Sequence, residues 1–233
     1  MRKSIRIKHW VLGCTALGLV VLATPSASAA TMTVKSWTLG ERVNVRSATR
    51  NGWVNTAELD VNYDGRDGYS YCVDLGQNIS GGTSTGWDTL AADSSDRVVR
   101  AAWLVETFRP GFDAMLAPGS DARAMGGASK RTLIAALQVA VWEVMGDAPG
   151  SYDLYAGGFR LAGGSAGVMN LARNFLGDLE QHSALGLSTR ATWAYSRRLQ
   201  DQIVVNPIPE PSSLVLFTAG AGLIGLIAKR KET

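Results

Sequence analysis

The sequence predicts an α+β fold, a β-sandwich or sheet carrying a helical insertion, with distinct segments at the two chain ends. Three observations predict it. Between Thr31 and about Asp74 the runs TVKSWTL, RVNVRS, GWVNTAELDVNY and GYSYCVD alternate and are rich in β-branched and aromatic residues. Three runs with helical spacing follow, and TRATWAYS and QIVVN then return to strand texture.

The strand region is punctuated by Asn51-Gly52 and Asp64-Gly65, both turn-formers, and Gly76 to Gly86 reads as a polar, glycine-rich loop. In the first helix Val98, Ala101, Ala102, Val105 and Phe108 form one stripe, with Asp96 as a capping residue and Pro110 as a stop. Ser129 caps the second, TLIAALQVAVWEVMG, which Gly146 ends. Ser165 opens the third, where Val168, Leu171, Ala172, Phe175 and Leu179 share a face.

Residues 1–29 have the order of a secretory signal. Arg2, Lys3, Arg6 and Lys8 precede an apolar run, and Ala27-Ser28-Ala29 fits an A-x-A cleavage site. Val11-Leu12-Gly13-Cys14 faintly resembles a lipobox, but too little apolar sequence precedes Cys14. Cys14 therefore leaves with the signal, and Cys72 is the only cysteine of the finished protein. Residues 30–206 form one domain of ordinary size.

At the other end, Pro209-Glu210-Pro211 precedes an uncharged apolar run, residues 212–228, and the basic cluster Lys229-Arg230-Lys231. The run is at the short limit for a transmembrane helix, and the basic cluster would stay cytoplasmic. This order over residues 207–233 resembles a PEP-CTERM sorting signal. The resemblance implies export through the inner membrane of a Gram-negative bacterium that makes extracellular polysaccharide. It also implies an exosortase-type membrane protease that removes the tail, so that the inner membrane is held only transiently. The destination would be the cell surface or extracellular matrix.

The whole chain has 23 Lys and Arg against 20 Asp and Glu. Setting aside the basic residues of both ends, with Glu210 and Glu232, leaves 16 basic and 18 acidic groups. The excess positive charge belongs to targeting segments and gives no argument for nucleic-acid binding.

Three residue patterns bear on chemistry. Asp60-Val61-Asn62-Tyr63-Asp64-Gly65 matches the opening of a calcium loop, yet Tyr71 stands where the bidentate Glu belongs. A hairpin turn explains the same residues, and no metal or other cofactor is expected. A cysteine hydrolase would pair Cys72 with His182, the only histidine outside the signal. Asp74, two residues from Cys72 and on the same strand face, would raise the thiol pKa, against the needs of a catalytic thiolate.

The third pattern is Gln138, the one amide in the apolar stretch Ile134–Trp142. A helix apolar all round is buried, and a buried amide needs partners. A lone strand cysteine and a lone buried glutamine are also the two groups that condense to an internal thioester with loss of ammonia. YCVD together with LQVAVW resembles the paired signature of bacterial thioester domains, known from surface adhesins. In that family a cysteine follows an aromatic residue on a strand, and the glutamine lies in a T-Q-x-A-I-W helix.

The resemblance extends through RVVRAAWLVETFRPGF and spans roughly Tyr71 to Leu179. It implies a cross-link between Cys72 and Gln138, with Tyr71 before the cysteine and Ala140, Val141 and Trp142 after the glutamine. Leu137 departs from the family's Thr. Trp142, four residues after Gln138, shares its helix face and would keep water from the bond. The expected function is a single-use latent electrophile, not a turnover enzyme. Its target would be an amine, a hydroxyl or exopolysaccharide. The alternatives are a non-covalent structural protein of the extracellular matrix, with Cys72 free or bridging two chains, and the secreted cysteine hydrolase.

Overall fold

The computed structural model describes residues 30–79, 81–91, 95–116, 128–150 and 152–205. The signal, Cys14, the PEP motif, the apolar run and the basic cluster lie outside them. Among the described residues, no helix is long and apolar enough to cross a membrane.

The strands come first, as β1 (Ala30–Leu39), β2 (Val43–Arg46), β3 (Asn51–Val54), β4 (Ala57–Tyr63), β5 (Arg66–Cys72) and β6 (Gly82–Ala91). Helices α1 (Asp96–Leu116) and α2 (Lys130–Gly146) follow, then β7 (Arg160–Gly163), α3 (Ala166–Ser183), β8 (Thr192–Tyr195) and β9 (Gln202–Val205). Six strands close a barrel in the order β1-β4-β5-β9-β8-β6, and β3-β2-β7 form a separate small sheet. The α+β class stands, with a closed barrel in place of a sandwich.

Closure depends on β1. Its ten residues pair antiparallel with β4 from Met32 to Leu39 and with β6 from Ala30 to Val34, so one strand joins both ends of the sheet. Thr33 and Thr83 hydroxyls meet at 2.9 Å across the β1–β6 seam. This pairing makes a strand of Gly82 onward, where composition reads as loop. Closure removes the exposed edges that an open sheet presents.

Local rules place several boundaries. Ser129 and Ser165 are the N-caps of α2 and α3, accepting from Thr132 N and Val168 N. Asp64 (φ 47°) and Gly65 (φ 80°) form the two-residue β4–β5 hairpin with both backbones left-handed. Asn51-Gly52 is not a turn. It begins β3, and the chain reverses at Ser47–Arg50, where Ser47 N donates to Arg50 O. Pro110 does not stop α1, which continues to Leu116. A proline costs the helix one hydrogen bond, and burial of Phe112 in the last turns offsets it.

Two cores result. Met32, Leu59, Val61, Trp87 and Val204 fill the barrel interior. The larger core lies between the barrel wall and the helices, with α2 at its centre, touching α1, α3, β1, β4 and β5. Every residue of α2 from Thr132 to Val144 is buried. Burying a large aliphatic or aromatic side chain contributes about 1.5–3 kcal/mol, so this helix is the anchor of the layer.

Candidate functional site

Strand alternation sorts β5 between the two cores. Tyr71 points to the helices and donates to Glu58 Oε2 at 2.9 Å. Glu58 is clasped by Arg109, with Nε–Oε2 and Nη2–Oε1 both 2.9 Å. Tyr71 therefore belongs to the wall that seats α1. Ser70 and Cys72 face the barrel interior, where β9 presents Gln202 directly opposite Cys72.

The thiol sits among three amides. Cys72 Sγ donates to Gln200 Oε1 at 3.1 Å, and Gln202 Nε2 donates to Sγ at 3.3 Å. Ser70 Oγ bonds Gln202 Oε1 at 3.1 Å, and Gln200 Nε2 bonds Asp74 O at 2.8 Å. From α2, Gln138 spans the backbone of Cys72. Cys72 N donates to Gln138 Oε1 at 3.3 Å, and Gln138 Nε2 donates to Cys72 O at 2.6 Å. Cys72 lies at the end of its strand, so these two backbone groups are open to a side-chain partner. Gln138, 1% exposed, needs such partners for its own amide.

Burial pushes the thiol up to about 12, with Asp74 adding in the same direction and the Gln202 N–H opposing. Cys72 is thus a neutral thiol at physiological pH. Asp74 mainly builds the adjoining loop, accepting from Gly76 N and Gln77 N through Oδ1 at 2.7 and 2.9 Å. Burial, with Asp74 nearby, also raises Asp201 to about 6.

A cavity of about 480 Å³ opens beside this cluster, lined by Cys72, Gln138, Gln200, Trp142 and Gln77, by apolar side chains of β1, β3 and β4, and by the polar Asn55, Asn78 and Arg50, whose guanidinium is held by Leu75 O and Asn78 Oδ1. Trp37 and Trp53, each more than half exposed, stand at its mouth. Two lining groups lack partners among the described residues although their atoms are buried, the donor Trp142 Nε1 and the acceptor Gln77 Oε1.

The structure thus gathers Cys72, Gln138 and Trp142 at one cavity and leaves Tyr71 on the opposite face of the wall. His182 lies elsewhere. It is on α3, its Nδ1 2.8 Å from Asp178 O and its ring packed on Trp103, and it does not line the cavity. Asp60, Asn62 and Asp64 serve the hairpin. Lys35 holds Asp60 at 3.0 Å, Asn62 Oδ1 accepts from Gly65 N, and Asp64 Oδ1 accepts from Thr31 N. No acidic, histidine or cysteine group suited to a metal occurs among the described residues. Sequence reasoning missed Gln200, Gln202 and Gln77. The alternate spacing in Gln200-Asp201-Gln202 was the available signal, but only the β5–β9 register turns it toward Cys72.

A family model described as the PEP-CTERM protein-sorting motif matches residues 207–231, which include Pro209, Glu210, Pro211 and the terminal basic cluster. No curated protein and no solved structure matches the chain. The motif marks an exported protein sorted to the cell surface or extracellular space, and such motifs are processed by exosortase, a membrane protease.

Proposed function

We propose that Cys72 and Gln138 condense to an internal thioester, and that the exported domain uses it once to attach itself covalently to a target at the Gram-negative cell surface or matrix. The observation that carries this reading is the two-point bond of the Gln138 amide to the Cys72 backbone, inside a cavity open to a ligand. Cys72 Sγ attacks Gln138 Cδ, the C–S bond forms, and the C–N bond breaks. The amide nitrogen takes the thiol proton and leaves as ammonia. Later an amine attacks the same carbon, a C–N bond replaces C–S, and the amine proton passes to sulfur.

The cavity favours an amine over a hydroxyl. Among the described residues that line it, none carries a carboxylate or imidazole. A neutral amine is nucleophilic as it stands, whereas a hydroxyl needs a general base. Gln77 Oε1 supplies an acceptor for the incoming N–H. The exposed indoles of Trp37 and Trp53 favour a second, non-covalent reading in which the groove simply holds a matrix ligand such as an exopolysaccharide.

Intact mass separates the two. The thioester protein is one ammonia lighter than its sequence requires, and the deficit disappears in Gln138→Ala but persists in Gln200→Ala. A wild-type mass equal to the sequence mass sinks the covalent reading. A deficit lost only in Gln200→Ala reassigns the bond to the glutamine that now accepts from the thiol.

A further inference from the structure

We propose that the Trp142 indole N–H is an oxyanion donor for the Cys72–Gln138 bond, and this rests on the thioester reading above. Trp142 is 4% exposed and lines the same cavity as the two reacting residues. Its Nε1 is buried with no partner among the described residues. Buried indole N–H groups normally find one. Trp142 follows Gln138 by one helical turn on the same face of α2, and both line one cavity with Cys72. Phe159 packs against the indole, with ring centroids 6.3 Å apart, and steadies its plane.

Both steps of the chemistry pass through a tetrahedral carbon. When sulfur attacks Gln138 Cδ, the carbonyl electron pair moves onto Oε1, and collapse expels the amide nitrogen as ammonia. When an amine attacks the thioester, the pair again moves to that oxygen, and collapse expels sulfur. The ground-state oxygen already accepts from Cys72 N at 3.3 Å. The indole N–H is unused in the ground state, so a bond it makes only to the displaced, charged oxygen lowers the barrier and adds nothing to ground-state binding. Two N–H donors, one from the backbone of β5 and one from α2, then bracket the oxyanion.

The test compares the wild-type protein with a form in which Trp142 is replaced by benzothienylalanine, which keeps the ring outline and substitutes sulfur for N–H. Trp142→Phe serves as a second, genetically encoded variant. Thioester opening by methylamine is followed by intact mass, alongside the melting temperature. Opening is expected to slow by about a hundredfold in both variants, and spontaneous hydrolysis should slow with it. A ring that only excludes water would leave both rates unchanged in the benzothienyl form and speed hydrolysis in Trp142→Phe. Wild-type opening rates in the benzothienyl form overturn the donor role while leaving the thioester intact. A wild-type protein with no ammonia deficit overturns both.

Discussion

Gln138 completes the backbone of Cys72 from a different element of the fold, accepting from its N–H at 3.3 Å and donating to its carbonyl at 2.6 Å. A buried helix is thereby keyed to the end of a barrel strand through one side chain. In a Cys72→Ala background, which cannot form the thioester and so keeps the amide, replacing Gln138 by Leu keeps the volume but orphans two buried backbone groups. The expected loss relative to Cys72→Ala alone is about 2–4 kcal/mol, read from urea denaturation. A denaturation midpoint equal to that of Cys72→Ala would show that the amide does not hold the helix to the strand.

Burial pushes the Cys72 thiol up to about 12. At pH 8 roughly one such thiol in ten thousand is ionised, and the thiolate is the alkylated species. In Gln138→Ala, where no thioester forms, Cys72 is expected to react with iodoacetamide at least a hundredfold more slowly in the native state than in urea. Gln202→Leu removes the N–H that opposes the shift, so in that background labelling should slow further. Equal native and denatured labelling rates would contradict the buried, neutral thiol.

Much of the local structure was legible because short-range physics decides it. Ser129 and Ser165 cap their helices through their own side chains, and Asp64-Gly65 supplies the left-handed pair that a tight hairpin requires. The closed barrel was not legible, since alternation says which residues face inward and not which strands are neighbours. The same gap hid Gln200 and Gln202, whose role depends on β9 lying beside β5. Pro110 misled for another reason. A local helix-breaking signal was outweighed by the tertiary burial of Phe112. Cys72 and Gln138 could be singled out because each was chemically alone in its segment; their contact is a property of the fold.

The wall that separates Tyr71 from Cys72 is itself held by a buried ion pair. Glu58 and Arg109 are both nearly fully buried, with Tyr71 on the same carboxylate and the Arg109 guanidinium stacked 3.4 Å from the Tyr69 ring centroid. Arg109→Met leaves Glu58 with Tyr71 and a Lys130 nitrogen 4.0 Å away. Removing one partner of a buried pair costs about 3–5 kcal/mol, expected here as a lowered denaturation midpoint. Adding Glu58→Gln to Arg109→Met should recover most of it. A double variant no better than the single one would argue that stacking on Tyr69, not charge, is what matters.

Gly40 sets the distance between the barrel and α2. A Cβ there would run into Thr56 Oγ1 and lie 3.0 Å from Ala135 N and 3.1 Å from Arg131 O. The helix N-terminus also rests on this corner through Glu41 N to Arg131 O. Gly40→Ala should displace α2, cost about 1–3 kcal/mol as overpacking does, and slow thioester formation by moving Gln138. Gly177→Ala in α3, where a Cβ meets nothing within 4 Å, is the control and should be neutral or stabilising. Equal thioester yield in Gly40→Ala and wild type would sever the link between this corner and the bond.

Glu143 follows Trp142 on α2, fully buried, and neither carboxylate oxygen makes a well-formed hydrogen bond among the described residues, although the Asp153 backbone and the Asp147 side chain lie close to it. Burial, then the nearby charges of Asp147 and Asp153, raise its pKa to about 8 from 4.5. In the folded protein the group is protonated at neutral pH, while the unfolded chain has released that proton. The protonated folded form is therefore favoured fully below about pH 4.5, and this contribution is lost as pH rises through about 8. At about 1.4 kcal/mol per unit the whole span is worth several kcal/mol at most. Asp201 behaves alike, but its window closes near pH 6, so the interval from 6.5 to 8 isolates Glu143. Wild-type stability should fall across that interval, and Glu143→Gln, which cannot ionise, should be flat there and more stable than wild type at pH 8. A wild-type melting temperature unchanged from pH 6.5 to 8 would mean that Glu143 is already ionised and solvated in the native state.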